Sequence, residues 1–224
     1  MIHYILTRSN RKTAVIHIRD GEVEFRAPLR MPKREIDRFI LSKEQWILKT
    51  LAKQRLQAEK KESFAINYDS LITFRGKQHV ISERDGAKAG FDGNVFYIPP
   101  GLTPEQIKAT CVKIYKKLAK THVTDRVAVY AKQIGVSPMV IRVNNAMKRW
   151  GSCSSKMSLN FSWRLIMAED SVIDYVVVHE LAHLIEMNHS ARFWAVVAKV
   201  MPDYKERQKK LKTLHKKLAS ETWD

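Results

Sequence analysis

The chain has 224 residues, with 40 Lys and Arg against 23 Asp and Glu, a formal net charge of +17 and a pI near 9.9. Its 45% hydrophobic content is ample for one large core or two small ones, which excludes a disordered chain. Its apolar runs are too short and interrupted to cross a bilayer. The first residues lack a signal-peptide pattern, and Cys111 and Cys153 make no disulfide framework, so a soluble cytoplasmic protein with no membrane partner is expected.

The charge is unevenly spread. Residues 101–150 carry 10 basic and 2 acidic side chains, whereas residues 151–201 carry 4 and 5. A basic scaffold therefore flanks a nearly neutral segment. Such a field attracts nucleic acid, nucleotides or other anions, and the plainer alternative is a set of solvated helix faces.

In chain order, residues 2–6, 14–18 and 23–25 alternate as short strands, with Asp20-Gly21 as a turn, and predict a small antiparallel sheet. Pro32 opens helical sequence, and Ser42-Lys43-Glu44-Gln45 reads as a capping box ahead of Trp46, starting a helix to about Lys61. Residues 71–74, 78–82 and 95–98 predict further strands, the first two joined at Arg75-Gly76-Lys77. Pro99-Pro100-Gly101 is the clearest punctuation, placing an N-terminal β-rich region with one or two helices at 1–100 and a second domain at 101–224. Thr103-Pro104-Glu105-Gln106 then starts a helix that Gly135 would close. Strands over 140–143, 148–153 and 158–162 follow, the last two around a Ser-Ser-Lys turn. A helix from about 171 and a basic helix over 202–218 complete the chain.

Residues 179–189 read His-Glu-Leu-Ala-His-Leu-Ile-Glu-Met-Asn-His. Histidines four apart on a helix are separated by about 400° of rotation, so His179 and His183 project side by side and can hold one metal ion. Glu180 follows the first histidine, where a carboxylate can take a proton from a metal-bound water. The segment around them, residues 171–187, is apolar almost all round and reads as a buried helix, capped by Ser171 with Asp174 three residues on. Burying these polar groups is costly unless each finds a partner, and a metal supplies one. The alternative is a pair of core histidines bonded to backbone, with Glu180 at the surface.

A tetrahedral zinc needs a third protein ligand. His189 is the leading candidate and Glu186 the second. On a continuous helix His189 would face away from the other two, so the helix is expected to end between them, at Met187-Asn188, with Asn in the left-handed conformation. Ser190 would then cap a new helix to about Val200.

The stretch Arg149-Trp150-Gly151-Ser152-Cys153, then Leu159-Asn160, the His-Glu-Leu-Ala-His run, and Asn188-His189-Ser190 with Phe193-Trp194 resembles the YgjP-like family of zinc metallopeptidases. More distantly it is similar to the SprT and WLM families. It departs from the metzincins, whose turn glycine is replaced by Glu186. The resemblance implies an α+β minimal zincin, in which a long helix and the metal-binding helix pack on a small mixed sheet. It also implies zinc on His179, His183 and His189, with Glu180 as general base. Residues 149–153, with Arg149, Trp150, Gly151 and Ser152 as substrate-binding residues, would form an edge strand able to pair with an extended peptide.

Three functions follow as expectations. The first is a zinc-dependent peptidase. The second is a metal-dependent nucleoside triphosphate pyrophosphatase, since the family is associated with that activity on uridine triphosphate; Lys148, Arg149 and Arg164 could then neutralise phosphates, or be ordinary surface charges. The third is a protease docked on nucleic acid by its basic scaffold. Cys153 is read as a small apolar strand residue rather than a ligand. No tyrosine, Tyr175 included, is selected as an oxyanion donor, and the sequence leaves the oligomeric state open.

Overall fold

The computed structural model describes residues 2–86 and 88–223, and these divide into two compact units, residues up to 64 with 219–222 and residues 65–218 with 223. The division falls near residue 64 rather than at the expected 100. The strands between the two positions belong with the long helix that follows them: Phe96 packs on Tyr115 at 5.3 Å between ring centroids, and the Tyr115 hydroxyl donates to the Thr73 carbonyl at 2.7 Å.

In the first unit, strands β1 (Ile5–Ser9), β2 (Val15–Arg19) and β3 (Glu22–Pro28) form a sheet of order β1-β3-β2, followed by helices α1 (Lys33–Ser42) and α2 (Glu44–Glu62). The sheet is mixed, not antiparallel as expected: β3 pairs antiparallel with β2 and parallel with β1, because it inserts between the two strands that precede it. Val23, Phe25 and Ala27 alternate inward from β3 and pack with Ile36, Ile40 and Ile47 as this unit's core. The expected cap at Ser42 does not form. Its hydroxyl donates back to the Phe39 carbonyl at 2.7 Å, and helical structure resumes at Glu44, after a one-residue break at Lys43.

The second unit opens with a sheet of order β4-β5-β7-β6, from β4 (Leu71–Phe74), β5 (Lys77–Glu83), β6 (Gly90–Phe91) and β7 (Phe96–Ile98). Helix α3 (Pro104–Ile134) starts at the expected capping box, Thr103 with Gln106, and stops at Gly135, whose φ of 81° is left-handed. At 31 residues it is about 46 Å long. Its buried stripe, including Cys111, Tyr115, Ala119, Val123 and Val127, recurs at helical spacing.

Beyond it come β8 (Val140–Asn144), β9 (Gly151–Cys153) and β10 (Ser158–Ser162), then a short 3-10 turn (Trp163–Met167) and helices α4 (Asp170–Ala182), α5 (Ala191–Val200) and α6 (Tyr204–Leu218). The sheet order is β8-β10-β9, again with the last strand inserted between the first two. Strand β9 is consequently an edge, paired only with β10, through Phe161 with Gly151, Asn160 with Ser152 and Leu159 with Cys153. The expected α+β arrangement, a long helix and the histidine-bearing helix beside a small mixed sheet, is therefore present.

Helix α4 is buried from Val172 to Val178, as its composition predicts, but it begins at Asp170 and has no side-chain cap. Ser171, the expected cap, lies inside the helix, and Asp174 completes no capping box. Its carboxylate instead takes Arg126 of α3, Nη2 to Oδ2 at 2.9 Å, and the Tyr130 hydroxyl at 2.9 Å. The first turn is held by the tight turn between β4 and β5, where Arg75 pairs with Asp170 and the Arg75 N–H donates to the Ile166 carbonyl at 2.8 Å. These ion pairs fix α4 against α3 and β4. Replacing Asp174 by Ala leaves Arg126 and Tyr130 without their buried partner, so the expected loss of stability in a urea titration is about 2–3 kcal/mol.

Candidate metal centre

The turn after α4 builds the cluster. The helix ends at Ala182, five residues earlier than expected; Ile185 and Glu186 N–H groups both reach back to the Ala182 carbonyl at 3.0 Å. Asn188 is not left-handed. Its side-chain oxygen instead accepts the Ser190 N–H at 3.0 Å, and Ser190 caps α5 by accepting the Phe193 N–H, as expected of it. This compact turn swings His189 back against α4, so that its Nε2 lies 3.0 Å from the Nε2 of His179.

His179, His183 and His189 each present a ring nitrogen to one point, with these atoms within 4.8 Å of one another. Two nitrogens bonded tetrahedrally to one zinc ion lie about 3.3 Å apart, so the His179–His189 spacing fits a shared cation. The third ring is oriented for the same task. His183 Nδ1 donates to the Glu186 carbonyl at 3.2 Å, which turns its Nε2 inward. Glu186 thus serves through its backbone, and its carboxylate is outside the cluster. Burial and the two neighbouring imidazoles hold His179 down at about 3, and burial lowers His183, so both rest in the neutral form that ligates.

Phe193, fully buried, packs against all three imidazoles at ring-centroid distances of 4.8, 4.5 and 4.8 Å, and Trp194 adds a second ring beside His179 and His189. This aromatic wall excludes water from one side of the cluster. Their positions three and four after the Ser190 cap place Phe193 and Trp194 on the face of α5 turned toward the histidines.

Glu180 is only 5% exposed and its Oε2 has no hydrogen-bond partner among the described residues. Burial pushes its carboxyl up to about 8, opposed by the charge of Arg149. A Cβ added to Gly151 would lie 2.5 Å from Glu180 Oε1 and 2.6 Å from its Cγ, so only glycine at the edge of β9 leaves room for this carboxylate. A glycine inside a strand pattern is the sequence feature that such a close approach leaves.

Of the other expected site residues, Trp150 and Gly151 line a cavity of about 500 Å³ that also touches His179 and Glu180. Ser152 lies in β9 opposite Asn160, and Arg149 is exposed just before the strand. Lys148 is exposed as well. Arg164 is not at the cleft: it is 7% exposed, donates to the Asn145 carbonyl at 3.1 Å and lies over the Trp163 ring. Cys153 is half-buried and outside the histidine cluster, with its thiol pushed up by burial and by Glu180.

A helix bearing two inward imidazoles and a buried glutamate, a third imidazole from the following turn, and a short sheet edge against them define a metallopeptidase-type domain. The chain belongs to the YgjP-like family, whose metallopeptidase-domain model matches residues 12–214. Among solved structures it is similar to the metallopeptidase zymogen of Pyrococcus abyssi abylysin, at 26% identity over 41% of this chain and 92% of that chain with a TM-score of 0.39. It is also similar to the metallopeptidase zymogen of Methanocaldococcus jannaschii jannalysin, at 17% identity over 41% and 94% of the two chains with a TM-score of 0.37. No curated protein gives a significant match. Among the described residues no helix is long and apolar enough to cross a membrane.

Replacing Gly151 by Ala keeps the backbone permissible while forcing the Glu180 carboxylate aside. The expected result is hydrolysis reduced by about 100-fold with zinc content unchanged in elemental analysis. Full activity in this variant would show that Glu180 need not sit where it does.

Proposed function

We propose that the protein is a zinc-dependent peptidase in which His179, His183 and His189 hold the ion and Glu180 is the general base. One juxtaposition carries the reading: a buried carboxylate, adjacent in sequence to one of three clustered imidazoles, lies directly beneath the backbone of an unpaired sheet edge. When bound, the ion supplies Lewis-acid polarisation of the substrate carbonyl and lowers the pKa of water.

The chain's own residues supply the remainder. Burial alone would keep Glu180 protonated near neutral pH; the charge of an ion held by the three imidazoles would favour its carboxylate, which would then accept a proton from the attacking water and deliver it to the departing amine. The backbone of Gly151 limits the positions its carboxylate can take. The outer edge of β9 offers N–H and C=O groups to an extended peptide, which would align the bond to be cut with Glu180. Arg149 and Trp150, immediately before the strand, and Ser152 within it are then the substrate-binding residues.

A second reading is pyrophosphate release from nucleoside triphosphates at the same residues. The observation favouring it is basic: Arg149 acts on Glu180 electrostatically, and Lys212 and Lys216 line the adjacent cavity. The third, a protease docked on nucleic acid, is supported only by the net charge of +17. The peptidase reading is preferred because a strand edge beside the carboxylate serves a peptide and has no use for a nucleotide.

The test is an assay of the purified protein on casein and on nucleoside triphosphates, beside Glu180→Gln. Casein cleavage is expected, falling by about 10²- to 10⁴-fold in the variant while zinc stoichiometry is retained. Uncut casein together with pyrophosphate release that the variant loses would replace this reading with the second.

A further inference from the structure

The cavity beside Glu180 has a second wall that the hydrolytic residues do not use. Helix α6 lines it with Leu211, Lys212, His215 and Lys216, facing His179 and Glu180 on α4. Trp150, Val176 and Leu211 contribute apolar surface, and the Trp150 and His215 rings meet edge-on at 6.0 Å, tying the approach to β9 to α6. At about 500 Å³ the cavity is of the size that takes a small ligand or a substrate side chain.

Three of the basic side chains on α6 are engaged away from the cavity. Arg207 pairs with Asp203 at 2.9 Å, Lys210 with Glu169 at 2.7 Å, and Lys217 donates to the Thr73 hydroxyl at 2.9 Å. Lys212 and Lys216 have no acidic partner among the described residues. They stand four apart, on one helical face with His215, an arrangement that disfavours an isolated helix because like charges repel. Among the described residues Glu180 is the one acidic side chain lining the cavity, and it is buried beneath Gly151. The cavity thus joins an apolar wall to an unneutralised basic rim.

We propose that this cavity is a specificity pocket for a peptide carboxylate, with the aliphatic stem packed on Trp150, Val176 and Leu211 and the anionic end held by Lys212 and Lys216. The inference rests on the peptidase reading and extends it to a substrate class: peptides with an acidic residue flanking the bond cut, or with a free C-terminus one residue beyond it. Both present the same group to the same lysines. An exposed ion pair contributes little individually, so two lysines together give a preference of about 3- to 10-fold for a Glu over a Gln substrate, shrinking as salt is added.

The experiment uses zinc-loaded full-length protein and a peptide series identical except for Glu, Gln or Lys flanking the cleaved bond, each as free acid and as C-terminal amide. The readout is the ratio of kcat/KM between peptides, which is independent of how much of a variant is folded. Wild type is expected to prefer Glu over Gln over Lys, and Lys212→Glu with Lys216→Glu is expected to reverse the order. A preference for acid over amide with no side-chain preference also supports the pocket and identifies the C-terminus as its carboxylate. Equal cleavage of the whole series overturns this inference and leaves the peptidase reading standing. No cleavage of any peptide, with triphosphate hydrolysis that the charge-reversed variant loses, overturns both and assigns the rim to phosphate.

Discussion

Helix α4 sits at the centre of its unit with apolar neighbours on nearly every side, yet it carries His179, Glu180 and Asp174. Each buried polar group left without a partner costs about 1–3 kcal/mol, and a buried charge more. Asp174 is answered from α3 by Arg126 and Tyr130. His183 is answered by the backbone of the turn it begins. What stays unanswered among the described residues is His179 Nδ1 and Glu180 Oε2. The partnered groups fix the helix, and the unpartnered Glu180 Oε2 lies beside the histidine cluster, where His179 turns its Nε2 rather than its Nδ1, which is the pattern expected of a site kept polar at a cost to stability.

Fixing α4 also explains why so short a sheet is sufficient. Strand β9 has three residues, and its register with β10 is continued by the Ser162 N–H donating to the Trp150 carbonyl at 2.8 Å. That bond sets where Gly151 meets Glu180. The same topology in the first unit, a strand inserted between its two predecessors, covers a different core and carries no such cluster among the described residues.

Much of the site was legible because it is local. The four-residue spacing of His179 and His183, the cap at Ser190 and the need to turn His189 back are consequences of helix geometry alone, and all three are present. So are both ends of α3, where Thr103, Gln106 and Gly135 act through their own backbone neighbours. The expectations that missed depended on competition between distant partners. Ser171 with Asp174, and Ser42, look like capping boxes by pattern, but Arg126 offers Asp174 a charged partner and the Ser42 hydroxyl turns back to the Phe39 carbonyl at the end of α1. Arg164 looked available for phosphate and is instead used against Asn145 and Trp163. The division near residue 64 depends on Tyr115 reaching β4 and β7, contacts that no local pattern encodes.

On the proposed reading, three imidazoles from α4 and its following turn hold one zinc ion. X-ray absorption at the zinc edge of the loaded protein tests it most directly. One zinc per chain is expected, with a light-atom shell at about 2.0–2.1 Å and the multiple scattering of three imidazoles. A sulfur shell at about 2.3 Å, which would bring Cys153 into the coordination sphere, or zinc bound well below one per chain, would contradict it.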